Sequence, residues 1–213
     1  MGKRILVINP NSSQSCTDGI AESLRAFAAP GRPVFETVSL PGGPPAIASW
    51  RDWYGVAEPL CRLVETSPAD AYILACVSDP GLEAVRSVTP KPVFGPFRSA
   101  VAAALARAER FGVIAFVDAS KARQRRALQA MGAEARLAAS IALNLPMEVL
   151  TDPMAARGAL CDTARALVAE GAEVVILGCA GMAGHRAAVE DAAGVPVIEP
   201  CQAAAAQALL ALA

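Results

Sequence analysis

The chain has 213 residues, 54% of them hydrophobic and 18% charged, with 19 basic against 20 acidic side chains for a net charge of −1. That length can bury a real core without staples, and basic residues scattered apart from Lys121-Ala122-Arg123-Gln124-Arg125-Arg126 do not make a nucleic-acid surface. No apolar run approaches the roughly 18 to 20 residues of a membrane span, so no membrane partner is expected.

In chain order, the first strand is expected at 4–9, where Ile5-Leu6-Val7-Ile8 stands between Lys3-Arg4 and Asn9-Pro10. So short an apolar stretch reads as a strand and not as a signal peptide, and a cytoplasmic location is the expectation. A helix over 14–28, a strand over 33–38, the connection Pro41-Gly42-Gly43-Pro44-Pro45 and a helix over 51–66 follow. Strand 71–76, helix 79–88, strand 92–95 and helix 97–109 complete the first half. The second half reads as strand 112–117, helix 119–131, strand 147–150, helix 153–170, strand 173–178, helix 181–192, strand 195–198 and helix 201–212. Short apolar strands alternating with longer helical patterns indicate an α/β fold with parallel sheets. The basic run falls on helix 119–131 and reads as its solvated face.

The chain also repeats itself. Ala71-Tyr72-Ile73-Leu74-Ala75-Cys76 matches Val174-Val175-Ile176-Leu177-Gly178-Cys179 at a shift of 179 − 76 = 103 residues. Pro92-Val93-Phe94-Gly95-Pro96 matches Pro196-Val197-Ile198-Glu199-Pro200, and the polar exit at Asn9-Pro10-Asn11-Ser12 corresponds to Asp118-Ala119-Ser120. The expected architecture is two pseudo-symmetric lobes, each a parallel four-stranded sheet flanked by helices, with the active site in the cleft between them. Residues 1–96 plus 199–213 form the first lobe and residues 97–198 the second, the last helix packing back on the first lobe. Ligands of parallel sheets bind beyond the carboxyl ends of the strands, and Cys76 and Cys179 occupy equivalent strand ends.

Each of these cysteines precedes a helix start, at Ser78-Asp79-Pro80 and at Ala180-Gly181-Met182. Helix N-termini favour negative charge, which helps to ionise a thiol and to hold an enolate oxygen. The other cysteines read differently: Cys16, Cys61 and Cys161 as helix packing, and Cys201 as packing near the cleft, opposite Phe97 in the repeat. With one histidine, His185, read as a rim residue, and no Cys-x-x-Cys pair, a zinc site of the usual spacing cannot be assembled. The phosphate and dinucleotide glycine motifs and the Gly-x-Ser-x-Gly elbow are absent, so no cofactor is expected.

Ile8-Asn9-Pro10-Asn11-Ser12, Ala75-Cys76-x-x-Asp79-Pro80-Gly81-Leu82 and Gly178-Cys179-Ala180-Gly181-Met182 together resemble the hydantoin racemase branch of the aspartate/glutamate racemase superfamily. The resemblance covers essentially the whole chain. It implies a two-lobed fold, no metal or organic cofactor, and Cys76 and Cys179 as acid and base on opposite faces of the substrate carbon. Asn11, Val77, Ser78, Val117, Ala180 and Gly181 are the expected substrate contacts. Gly-Cys-Ala-Gly-Met in place of the Gly-Cys-Thr of amino-acid racemases favours a cyclic ureide, a 5-substituted hydantoin or allantoin, handled by a homo-oligomer. Alternatives are an arylmalonate decarboxylase-like or maleate isomerase-like enzyme, an aspartate or glutamate racemase, and a non-catalytic small-ligand binding protein. One departure stands at Phe116-Val117-Asp118, where such proteins often offer a hydroxyl.

Overall fold

A computed structural model describes residues 2–152 and 154–213; Met1 and Pro153, where the first lobe and the helix 153–170 were expected to begin, lie outside the described residues. The chain runs β1 (Arg4–Asn9), α1 (Gln14–Leu24), β2 (Val34–Ser39), α2 (Trp50–Gly55), α3 (Ala57–Thr66), β3 (Ala71–Leu74), α4 (Leu82–Val88), β4 (Val93–Phe94) and α5 (Pro96–Leu105). It continues with β5 (Phe111–Ala115), α6 (Asp118–Ala130), β6 (Leu137–Ala142), α7 (Met147–Thr151), α8 (Arg157–Ala169), β7 (Val174–Gly178), α9 (Arg186–Ala193), β8 (Val197–Ile198) and α10 (Pro200–Ala211). The strands form two four-stranded parallel sheets, β2-β1-β3-β4 and β6-β5-β7-β8, with the same order in each half of the chain. The repeat read from the sequence is thus a repeat of topology.

Strand alternation explains why both sheets are apolar on both faces. Ile5, Val7, Ala71 and Ile73 of the first sheet and Phe111, Val113, Val174 and Ile176 of the second turn into one shared central core. Leu6, Ile8, Tyr72 and Leu74 turn outward under α3 and α4, while Ile114, Val175 and Leu177 turn outward under α8 and α9. The central core is filled from α5 and α10, whose Ala100, Ala104, Ala204, Ala205 and Ala208 are fully buried and let the two helices pack closely. These five alanines serve this contact, and α10 also packs on β3, β4 and α1 of the first half.

Several elements differ from the sequence expectation. The strand expected at 147–150 is the short helix α7, and its place in the sheet is taken by Leu137–Ala142. Met147 and Leu150, three residues apart, share the buried face of α7, and Pro146 precedes its first turn, so the apolar run has helical spacing. The true edge strand is alanine-rich and half-buried, a composition with little strand signal. The helix expected at 51–66 is broken at Val56, its first part opened by a reciprocal Ser49–Asp52 cap. The helix expected at 79–88 starts only at Leu82, because Asp79 and Gly81 both take left-handed conformations, φ 50° and 70°. The segment after Cys179 begins as a 3₁₀ turn, Ala180–His185, before α9. Among the described residues no helix is long and apolar enough to cross a membrane.

Candidate active site

The C-terminal ends of β1, β3, β5 and β7 converge on one cavity. Cys76 and Cys179 both line it, as do Asn11, Val77, Ser78 and Ala180. Gly181 sits beside Cys179: a Cβ there would stand 3.6 Å from Sγ and 2.9 Å from Met147 Sδ, so only glycine lets the backbone pass this close without pushing the methionine aside. Val117 is not among the lining residues; it packs with the outer core of the second sheet, and Phe116 and Ser120 around it face the cavity. Ser120, two residues beyond Asp118, brings a hydroxyl side chain to the cavity wall. Ile47, on the loop after Pro41–Pro45, and Met147 of α7 complete the apolar wall.

Local hydrogen bonds fix the polar lining. Asn11 Oδ1 accepts from Asn9 Nδ2 and from the Ser13 backbone N–H, both at 2.9 Å, which turns its amide nitrogen toward Cys16 and the cavity. Cys76 Sγ lies 3.7 Å from Ser78 Oγ. The turn from Cys76 to Asp79 closes with the Asp79 N–H donating to the Cys76 carbonyl, which carries both side chains to the strand end. Asp79 then reaches away from the cavity and accepts the Phe97 and Arg98 N–H groups at 2.9 and 3.0 Å, capping α5 from outside. In the other half Glu199 caps α10 itself, accepting from Cys201 and Gln202. The two helices of the central core thus receive a buried carboxylate at equivalent N-termini, from non-equivalent residues.

Helix α6 corrects part of the reading of the basic run as a solvated face: Lys121, Arg125 and Arg126 do face solvent, but Arg123 and Gln124 turn inward. Arg123 and Gln124 are each 2% exposed. Arg123 donates to the Ile47 and Ala48 carbonyls at 3.0 and 3.3 Å and to Ser120 Oγ at 3.1 Å, with its guanidinium 5.9 Å from the Trp50 ring centroid. Among the described residues no carboxylate forms an ion pair with it. Gln124 Nε2 donates to the Val77 carbonyl at 2.8 Å and to the Gly178 carbonyl at 3.3 Å. Cys16 packs in the central core from α1 as expected, and it also reaches the cavity wall. One further reading changes. His185, taken as a rim residue, is 3% exposed with Nε2 3.1 Å from the Leu150 carbonyl. Cys201 packs in the central core as expected.

The thiols are held neutral at rest. Burial pushes Cys76 up to about 11, and Asp79 adds to the rise, while the Ser78 hydroxyl and the Arg123 cation pull it back. Burial raises Cys179 well above the ordinary range, Cys16 and Cys76 add to it, and the Gly181 N–H opposes. Cys16 rises to about 12, chiefly by burial. A thiol of this kind ionises rarely, but its thiolate is a strong base in a site with few competing water contacts. Among the described residues no three His, Cys, Asp or Glu side chains gather to hold a metal ion.

Known proteins share this fold. The family model described as Asp/Glu/Hydantoin racemase matches residues 5–208. The chain is 36% identical to a hydantoin racemase of Paenarthrobacter aurescens, over 98% of this chain and 92% of that one. Among solved structures it resembles an allantoin racemase from Klebsiella pneumoniae, with a TM-score of 0.91 and 31% identity over 99% of this chain and 89% of that one. A glutamate racemase from Francisella tularensis subsp. tularensis SCHU S4, at 15% identity, TM-score 0.70 and coverage of 97% of this chain and 79% of that one, shares the fold. With the family model spanning nearly all of the chain, both sheets and both cysteine turns included, the protein belongs to the Asp/Glu/hydantoin racemase family.

Proposed function

We propose that the protein is a cofactor-independent racemase of 5-substituted hydantoins or allantoin, with Cys76 and Cys179 as its two acid–base groups. The observation that carries this reading is the presence of two thiols, from repeat-equivalent strand ends of the two sheets, on the wall of one cavity. Residues 1–96 with 199–213, and 97–198, are the two lobes that bring them to opposite sides. The substrate ring lies between them. One thiolate takes the proton from the carbon next to the ring carbonyl; the C–H bond breaks, an S–H bond forms, and the electron pair moves onto the carbonyl oxygen as an enolate. The opposite thiol returns a proton to the other face, and the roles exchange for the other enantiomer.

Asn11 Nδ2, the Ser78 hydroxyl and the backbone N–H groups of Val77, Ala180 and Gly181 are the donors available to ring carbonyls and to the enolate. The reading includes a homo-oligomeric, cytoplasmic enzyme, to be checked by size-exclusion chromatography and cell fractionation. Activity is tested by incubating the protein with enantiopure 5-substituted hydantoins and with allantoin while following optical rotation. Decay of rotation supports the proposal. Steady rotation with every substrate, together with CO₂ release from an arylmalonate, would replace it by the decarboxylase, which needs a single thiol.

A further inference from the structure

Gln124 makes a pair of contacts that no packing argument requires. Its Nε2 donates to the carbonyl of Val77, the residue after Cys76, and to the carbonyl of Gly178, the residue before Cys179. Val77 leaves the end of the first sheet and Gly178 ends β7 of the second, so one amide group ties the two cysteine-bearing backbones together. Two carbonyl partners define the orientation of the side chain, since only the NH₂ end can serve both. The other end has nothing: Oε1 is buried without a hydrogen-bond partner. An orphaned buried acceptor costs stability, a cost borne here by the same side chain whose NH₂ end serves two buried carbonyls. The arrangement is suited to holding the two strand ends at a set separation.

We propose that Gln124 is a positioning residue that sets the gap between Cys76 and Cys179 by bridging the Val77 and Gly178 carbonyls. Racemisation needs both sulfurs within reach of one carbon in the same turnover, whereas exchange on a single face needs only one. The bridge therefore matters more for the transfer between faces than for either thiol alone. Neighbouring Arg123, holding the Ile47 and Ala48 carbonyls of the first half, anchors α6 where Gln124 can reach both strand ends.

The test compares the native protein with Gln124→Met, which keeps the length and removes the donors. In D₂O, with an enantiopure 5-substituted hydantoin, two rates are read: racemisation, and deuterium uptake into recovered starting enantiomer. Displacements of about 1 Å cost on the order of a hundredfold in rate, so racemisation is expected to fall by about ten- to a hundredfold while single-face exchange falls far less. A variant that loses both rates in the same proportion, or neither, overturns the inference. Because the inference rests on the racemase reading, a second measurement needs no turnover. Dibromobimane, which fluoresces on linking two thiols, is expected to bridge Cys76 and Cys179 several-fold less in Gln124→Met at an unchanged yield of single alkylation. Equal bridging overturns the inference whatever the substrate proves to be. Should the methionine variant not fold, Gln124→Asn, one methylene shorter, is read by the same measurements.

Discussion

The capping of α5 by Asp79 can be challenged without touching either cysteine. Gly95 has ordinary extended angles, φ −97° and ψ 124°, so alanine meets no backbone strain there. A Cβ at this position would nevertheless lie 2.4 Å from Asp79 Cγ and 2.6 and 2.7 Å from its two oxygens. The carboxylate cannot move aside and keep both the Phe97 and Arg98 N–H groups. Hydrogen bonds to a charged group contribute about 1.5–3 kcal/mol each, so Gly95→Ala is expected to cost about 3–5 kcal/mol after partial relaxation. For a chain of this size, at about 2–4 °C per kcal/mol, Tm should fall by roughly 6–20 °C. Burial lifts Asp79 to about 7, so the assay belongs at pH 8, where the carboxylate is mostly ionised. Urea denaturation of Gly95→Ala, Asp79→Ala and the double variant closes a cycle. With Asp79 already gone, the added methyl should cost less than about 1 kcal/mol. A small cost in the native background, or the same cost in both, would refute the cap as described.

Two further outcomes follow from the charges. Since burial raises both thiols, the thiolate is the form lost as pH falls; with Cys76 near 11, about one molecule in a thousand carries it at pH 8. kcat/KM should therefore rise about tenfold per unit between pH 7 and 9, and a flat profile across that range would contradict the neutral resting state. Removing the cation that opposes this shift should push Cys76 higher still: Arg123→Met is expected to slow alkylation of Cys76 by iodoacetamide at pH 8 and move its pH midpoint up. An unchanged midpoint would show that Arg123 does not act on this thiol.

Much of the framework was legible from the residues. The match of Ala71–Cys76 with Val174–Cys179 identified two equivalent strands and located both thiols, because fully buried parallel strands are short, continuous apolar runs. The strand Leu137–Ala142 was not legible, since an alanine-rich, half-buried edge carries little of the β-branched signal, and Met147–Leu150 offered a more apolar competitor. The helix face that serves the site was readable and went unread. Ser120, Arg123, Gln124, Ala127 and Leu128 are the buried residues of α6, spaced as one inward stripe, so three polar side chains at core-facing positions already pointed to a polar site. The repeat also hid a clue in its mismatch. Where the second half has Glu199, the first has Gly95, because the space for a side chain is filled by Asp79 from another turn. The left-handed backbone of Asp79 that makes this possible left no mark in the hydrophobic pattern.

The central claim, that Cys76 and Cys179 work on opposite faces of one carbon, is tested most directly by hydrogen exchange in single variants. Serine at either position is too weakly acidic to ionise near neutrality, so Cys76→Ser and Cys179→Ser should each lose racemisation in both directions. Each retains one thiol, which can remove and return a proton on its own face with deuterium from solvent. Incubated separately with the two enantiomers of a hydantoin in D₂O, one variant is expected to label only one enantiomer with retention, and the other variant only its mirror image. Labelling of the same enantiomer by both variants, or racemisation at the native rate by either, would contradict the two-thiol account.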